Sequence, residues 1–269
     1  MPLGLSDNLF QRIISALLLL PPVLGAIYAG EAWFSALLVV GGALMMLEWC
    51  QLTVIPHPAV RGGAVLLICS LVWLLETGAL SSNAPLLAAL LLVSVVGVLI
   101  IRIGLRIGWL LAGVAYVGFP IVSLWLIREG SAILVLWIFL VVWATDIGGY
   151  FAGKSIGGLK LAPKISPKKT WAGLLGGMAL SVVVSVAVHL IFPFSSSLIV
   201  LSLLAATLAV WAQVGDLVES GIKRHFGVKD SGGLIPGHGG LLDRVDGLVF
   251  VAPAVVFVSW VGPMLGFEF

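Results

Sequence analysis

Charged residues are scarce in this chain of 269 residues: Asp, Glu, Lys and Arg make up 10% of it, against 61% hydrophobic residues. Soluble domains carry about 25% charged residues, and no soluble core could bury this much apolar surface. The net charge of +2 is too small to indicate a nucleic-acid partner. The two cysteines, Cys50 and Cys69, have no zinc-ligand spacing and form no disulfide framework. These absences leave an integral membrane protein as the expected class.

Long apolar runs make up most of the chain. They suffice for about nine transmembrane helices of about 20 residues, so we predict an all-α polytopic membrane protein with cytoplasmic active-site loops. The predicted spans are 13–30, 32–50, 62–76, 84–101, 108–127, 131–151, 171–192, 198–216 and 247–265. Residues 1–130 would hold about five of them. Residues 131–269 would form the catalytic region, with the loops 152–170 and 216–246.

The basic residues are distributed unevenly along this arrangement. With the N-terminus in the cytoplasm, 13 of the 14 Lys and Arg residues fall on the cytoplasmic side, and only Arg128 falls outside. This is the bias that membrane proteins show in their short loops. It places the loops 152–170 and 216–246 on the same side, where we expect them to share one active site.

The segment Ser220–Asp246 combines four basic residues, three carboxylates and seven glycines within 27 residues. Carboxylates hold Mg²⁺, basic side chains hold phosphate oxygens, and glycines let backbone N–H groups approach a ligand. The mixture therefore indicates phosphoryl or nucleotidyl transfer. Asp243 and Asp246 stand three residues apart, so on a helix they face the same way and can share a metal. The alternative for each acid is an ion pair with Lys223 or Arg244.

Three other features invite a functional interpretation. Asp146 lies in the sixth predicted span, and a carboxylate inside a membrane is a functional candidate unless it only bonds neighbouring side chains. Lys168 and Lys169 either contact phosphate or anchor the seventh span. The stretch Gly148–Ser155 fits the phosphate-loop pattern G-x-x-x-x-G-K-[ST]. We reject that match, because a membrane helix rather than a strand precedes it.

From Ser220 to Asp246 the chain resembles the phosphatidate cytidylyltransferase (CDP-diacylglycerol synthase) family at every defined position of its C-terminal signature. That signature reads Ser-x-apolar-Lys-Arg-x4-Lys-Asp-x-small-x2-apolar-Pro-x-His-Gly-Gly-apolar-x-Asp-Arg-apolar-Asp. Further matches are Asn8-Leu-x-x-Arg12, Glu48-Trp49, Asp146-x3-Tyr150 with Gly153, Ser166–Trp171 and Gly215–Ser220. Two departures are Gly149, where the family usually has Ala, and Ala172, where it usually has Glu. The second leaves any role for a carboxylate at that position unfilled.

The resemblance implies a multi-pass enzyme of the bacterial-type inner membrane, with its active site facing the cytoplasm. It would join CTP and phosphatidate into CDP-diacylglycerol and diphosphate, using one or two Mg²⁺ ions. The metal ligands would be Asp216, Asp243 and Asp246, which together with Lys223 and Arg244 form the expected catalytic set. The expected substrate-binding residues are Asp146, Lys168, Lys169, Ser220, Arg224, Lys229, Asp230, His238, Gly239 and Gly240.

Two other functions are considered beside this one. A CTP-dependent polyprenol or dolichol kinase would need an alcohol acceptor and a general base, and the full signature speaks against it. A transporter of anionic lipid or phosphate should concentrate its polar residues near the bilayer midplane, whereas here they lie at one face. A homodimer is compatible with the sequence.

Overall fold

The protein is mostly helical in a computed structural model that describes residues 20–78, 84–102, 106–235 and 239–265. The described part of helix α1 is Leu20–Ala29. The following helices are α2 (Glu31–Leu52), α3 (Pro58–Glu76), α4 (Ala84–Arg102), α5 (Ile107–Gly130), α6 (Ala132–Ser155), α7 (Trp171–Ile191), α8 (Leu198–His225) and α9 (Leu242–Val261), with a final 3-10 turn at Gly262–Leu265.

Within the described residues, seven helices are long and apolar enough to cross a membrane, namely α2, α3 and α5 to α9. This confirms the predicted class of a polytopic helical membrane protein. The count of nine spans stays a prediction, and the first part of the predicted span 13–30 lies outside the described residues.

The chain forms two compact units. Unit 1 consists of Met1–Glu129 and Phe226–Val245, and unit 2 consists of Gly130–His225 and Asp246–Phe269. The division into residues 1–130 and 131–269 stays a prediction. In the structure, most of the signature segment packs with the N-terminal helices.

In unit 1, Trp49 of α2 fixes that helix against α5. Its indole is buried, stacks on Tyr116 with ring centroids 4.9 Å apart, and donates a hydrogen bond to the carbonyl oxygen of Trp109 at 2.8 Å. Gly113 lies directly under the indole, where a Cβ would overlap it. This contact also holds Glu48, the residue before Trp49, at a defined position.

In unit 2, helices α6 and α7 pack with their backbones in contact. A Cβ on Gly148 would overlap the carbonyl oxygen of Gly176, and a Cβ on Gly176 would overlap the side chain of Ala152. Such small-residue contacts are a common way for membrane helices to associate. The whole stretch Gly148–Ser155 is part of α6. Its small residues therefore pack against α7, and the stretch is not a phosphate loop.

Helix α8 continues beyond its predicted membrane exit near residue 216, as far as His225. Two side-chain contacts at helical spacing support the extension: Ser220 Oγ donates to Asp216 Oδ1 at 3.1 Å, and Lys223 Nζ donates to Glu219 Oε2 at 2.7 Å. Hydropathy marks where apolar side chains end, whereas backbone hydrogen bonding continues along polar residues that pair with each other. The loop predicted at 216–246 thus begins as a helix.

The predicted loop 152–170 contains regular structure as well. Strands β1 (Lys160–Ala162) and β2 (Ser166–Thr170) form an antiparallel hairpin, in which Lys160 pairs with Thr170 and Ala162 with Ser166. Both Ala162 and Ser166 precede a proline, which favours extended backbone at those positions. The hairpin leads directly into α7, where Thr170 caps the helix by accepting from Gly173 N at 3.1 Å.

Candidate active site

The signature segment of unit 1 is folded around the carboxylate of Asp243. One oxygen, Oδ2, accepts hydrogen bonds from the backbone N–H of Gly240 at 2.8 Å and of Ser231 at 2.9 Å, and from the Ser231 hydroxyl at 3.0 Å. Asp243 is in the first turn of α9. Its hydrogen bonds therefore connect the start of that helix to Ser231. This structural role is separate from its predicted role as a metal ligand.

A second carboxylate of unit 1, Glu48, holds the same segment from helix α2. Glu48 is buried, with 4% of its surface exposed. It accepts from Leu241 N at 2.8 Å, from Leu242 N at 2.9 Å and from Ser231 Oγ at 3.4 Å. We call Glu48 and Asp243 the loop carboxylates. The sequence interpretation gave Glu48 no role, although an acid inside an apolar run is itself a signal of function.

The other predicted residues of this segment differ in exposure. Lys229, Asp230 and Arg244 are exposed, whereas Gly240 is buried. A Cβ on Gly240 would overlap Ser231 Oγ and lie 2.7 Å from Glu48 Oε2, so this glycine is needed for the packing of the loop. Gly239 has a φ of +84°, a conformation that glycine adopts readily. His238 lies outside the described residues.

Unit 2 contains a second group of acids. The carboxylate of Asp246 is close enough to those of Asp216, Glu219 and Asp146 to repel them electrostatically. We call these four residues the acid cluster. Asp216 and Glu219 lie on α8, Asp146 on α6 and Asp246 in α9, so three helices contribute to it.

Two lysines of unit 2 neutralise part of this negative charge. Lys169, from strand β2, forms an ion pair with Asp216. Lys223 forms an ion pair of 2.7 Å with Glu219, and the two side chains are 10% and 1% exposed. A buried pair of this kind persists because removing either partner would leave an uncompensated charge. Lys168 and Arg224 are exposed, so Lys168 and Lys169 differ although they are adjacent.

The chemistry of the acid cluster suits a magnesium ion, since Mg²⁺ takes carboxylate oxygens, with water and substrate phosphate completing its shell. Asp216 and Asp246 supply such oxygens from neighbouring helices. Across the part of the chain that the structure describes, no three His, Cys, Asp or Glu residues are arranged to hold one metal ion. A complete protein cage is not required for Mg²⁺. The metal ligands stay predictions.

Comparison with known proteins bears on the chemistry of these two groups. The sequence model of the cytidylyltransferase family matches residues 10–261. The chain belongs to this family. A phosphatidate cytidylyltransferase of Brucella suis biovar 1 (strain 1330) is 40% identical over 256 residues, which cover 91% of each chain. The phosphatidate cytidylyltransferase of Staphylococcus haemolyticus (strain JCSC1435) is 46% identical over 143 residues, covering 53% of this chain and 55% of its own.

Membership of the cytidylyltransferase family confirms the resemblance drawn from the signature segment. The family match includes both the loop carboxylates and the acid cluster, since it runs from residue 10 to residue 261. The roles of the individual residues are proposals drawn from the geometry.

Proposed function

We propose that this protein is a phosphatidate cytidylyltransferase, which converts CTP and phosphatidate into CDP-diacylglycerol and diphosphate. The observation that carries the proposal is the similarity to relatives of that name along 91% of the chain. The helical membrane architecture suits a lipid substrate. The clustered carboxylates and lysines suit a nucleoside triphosphate and its metal ion.

In the proposed reaction, an oxygen of the phosphatidate phosphate attacks the α-phosphorus of CTP. The new P–O bond forms as the bond from the α-phosphorus to the bridging oxygen breaks, and diphosphate leaves with that electron pair. A phosphate monoester is mostly ionised near pH 7, so the nucleophile needs no general base. Catalysis then consists of aligning the two substrates and neutralising their charge.

The residues divide into three roles under this proposal. Asp216, Asp243 and Asp246 would hold Mg²⁺, which when bound withdraws charge from the phosphate oxygens. The basic residues would neutralise the triphosphate and the lipid phosphate, and the arginines can do so with two parallel hydrogen bonds. These are Lys168, Lys169, Lys223, Arg224, Lys229 and Arg244. Ser220, Asp230, Gly239, Gly240, His238 and Asp146 are proposed to complete the substrate contacts.

The test is to supply the purified protein with phosphatidate, Mg²⁺ and CTP labelled at either the α- or the γ-phosphate. We expect the α-label to enter the lipid and the γ-label to leave as diphosphate. Transfer of the γ-label to a lipid alcohol would identify a kinase instead. Absence of lipid labelling with folded protein would contradict the proposal. Diacylglycerol and polyprenol in place of phosphatidate serve as controls.

We further propose that the protein lies in a bacterial-type inner membrane with the N-terminus and both active-site loops in the cytoplasm. The support is the distribution of 13 of the 14 basic residues on one side of the nine predicted spans. Reporter proteins fused at positions 3 and 267 should then report opposite compartments. The same compartment for both fusions would contradict nine spans.

A further inference from the structure

Glu48 is an acid in an apolar helix, and its burial demands compensation. A buried carboxylate without hydrogen-bond donors is strongly disfavoured. The structure supplies these donors from a segment that lies 193 and 194 residues away in sequence, namely the backbone N–H groups of Leu241 and Leu242. Leu242 begins α9 and Leu241 directly precedes it, and the first backbone N–H groups of a helix lack partners within the helix. Glu48 thus caps α9 from another helix.

The two carboxylate oxygens of Glu48 accept hydrogen bonds from different donors. Oε1 accepts from Leu241 N, whereas Oε2 accepts from Leu242 N and from the Ser231 hydroxyl. Asp243 accepts from Ser231 and Gly240. The loop carboxylates together therefore accept hydrogen bonds from four residues of the segment, namely Ser231, Gly240, Leu241 and Leu242. Ser231 and Gly240 are therefore both fixed to carboxylates.

The packing around Glu48 is close on the loop side. A Cβ added to Gly232 would lie 3.0 Å from Glu48 Oε1, and one added to Gly240 would lie 2.7 Å from Oε2. Glycines at these positions let the loop backbone approach the carboxylate. The exposed side chains of Lys229 and Arg244 flank this fixed region on either side.

We propose that Glu48 is a positioning residue for cytidylyl transfer, which holds Ser231 and the start of α9 so that the flanking residues Lys229 and Arg244 are presented to CTP. This inference rests on the proposed function. Glu48 acts through backbone amides and not on the substrate. The triphosphate carries the largest charge of the reactants, so its binding should depend most on the placement of Lys229 and Arg244.

The first test measures hydrogen exchange in Glu48→Gln, without substrate. The glutamine side chain has only one acceptor oxygen. Its NH₂ group would therefore face the backbone N–H of either Leu241 or Leu242, and that hydrogen bond would be lost. We expect exchange at Leu241 and Leu242 to become about tenfold faster or more, since each lost charge-assisted bond weakens local protection. Peptides from α7 should be unchanged. The matched control is Glu31→Gln, an exposed acid at the start of the same helix.

The second test measures steady-state kinetics of the same variants. We expect Glu48→Gln to raise the KM for CTP about fivefold or more and to lower kcat about tenfold, with the KM for phosphatidate changed less. Loss of folded protein alone would lower the rate while the remaining molecules kept the KM for CTP of the wild type. That result would reduce Glu48 to a structural residue and overturn the inference.

Ser231→Ala provides a milder variant should Glu48→Gln fail to fold. It removes the hydroxyl that both loop carboxylates accept from, and leaves their backbone bonds in place. We expect the KM for CTP to rise about two- to threefold. An unchanged KM together with unchanged exchange in the loop would overturn the inference.

If wild-type protein does not transfer the α-label to lipid, the proposed function fails, whereas the exchange experiment still tests the capping by Glu48.

Discussion

The loop carboxylates and the acid cluster show two different ways of keeping acids inside this protein. Glu48 and Asp243 accept hydrogen bonds from backbone N–H groups, so their charge holds a loop in shape. In the acid cluster, Asp246 faces three other carboxylates, and the lysines Lys169 and Lys223 offset part of the charge. The first arrangement stabilises the fold, whereas the second concentrates negative charge that a cation would relieve.

This difference separates acids that shape the loop, among them the proposed metal ligand Asp243, from acids that only repel one another until a cation binds. Repulsion among neighbouring carboxylates costs stability, and such a cost is typical of sites shaped for a ligand. Acids bound to backbone amides carry no such cost. Measuring activity and stability together in variants of each group separates the loop carboxylates from the acid cluster.

The largest effect is expected for Asp246→Asn. Removing one charge from the acid cluster should lower kcat about a hundredfold or more, if Asp246 holds the metal. The same change relieves repulsion by three acids, so the melting temperature should not fall. Glu129→Gln, an exposed acid at the end of α5, is the control and should retain wild-type activity. A variant that remains fully active at limiting Mg²⁺ would remove Asp246 from the metal site.

Asp243→Asn should also lower kcat, by about a hundredfold, but with a different signature. Its Oδ2 accepts three hydrogen bonds, and an amide cannot accept them all if its NH₂ group takes that position. We therefore expect faster hydrogen exchange at Ser231 and Gly240, which Asp246→Asn should leave unchanged. Equal exchange in the two variants would erase the distinction between the loop carboxylates and the acid cluster.

A smaller effect is expected when the two adjacent lysines of β2 are compared. Lys169 pairs with Asp216 and is half-buried, whereas Lys168 is exposed. Lys169→Ala should raise the KM for CTP or phosphatidate about tenfold, and Lys168→Ala only about twofold, because solvent screens the exposed charge. Both lysines lie directly before α7, so membrane topology must be checked in each variant. A larger effect for Lys168 would contradict the assignment.

The smallest effect is expected for Ser220→Ala. The hydroxyl of Ser220 donates to Asp216 Oδ1 at 3.1 Å and steadies that carboxylate. Its removal should lower kcat/KM about two- to fivefold, as a single hydrogen bond contributes modestly. Ser202→Ala, on the same helix, removes an exposed hydroxyl that bonds only the local backbone and serves as the control. Equal activity of Ser220→Ala and wild type would show that Asp216 is held without Ser220.

Much of the fold was predictable because apolar runs of about 20 residues have few alternatives in a membrane. Hydropathy could not locate the end of α8, since Asp216, Glu219, Ser220 and Lys223 continue the helix by pairing with each other. The hairpin 160–170 was missed as well. Its signal was local, namely two residues that each precede a proline.

The site was predictable to the extent that its residues are close in sequence. Helical spacing brings Asp216 and Glu219 into the same cluster, whereas Asp243, three residues before Asp246, is bound to the backbone of Ser231 and Gly240 instead. The role of Glu48 could not be found this way, because its partners are 193 residues distant and are backbone groups, which leave no mark in a side-chain pattern. The rule that singled out Asp146, a carboxylate inside an apolar run, applies equally to Glu48.

The cap that Glu48 provides for α9 also imposes an order on biosynthesis. Glu48 is translated 193 residues before Leu241. At about 5–20 residues per second, helix α2 waits about 10–40 s for these amide partners. During this interval the carboxylate of Glu48 lacks the backbone N–H donors of Leu241 and Leu242, and water must take their place. The nascent protein therefore carries an unfinished polar site in its early helices, and only the emergence of α9 completes it.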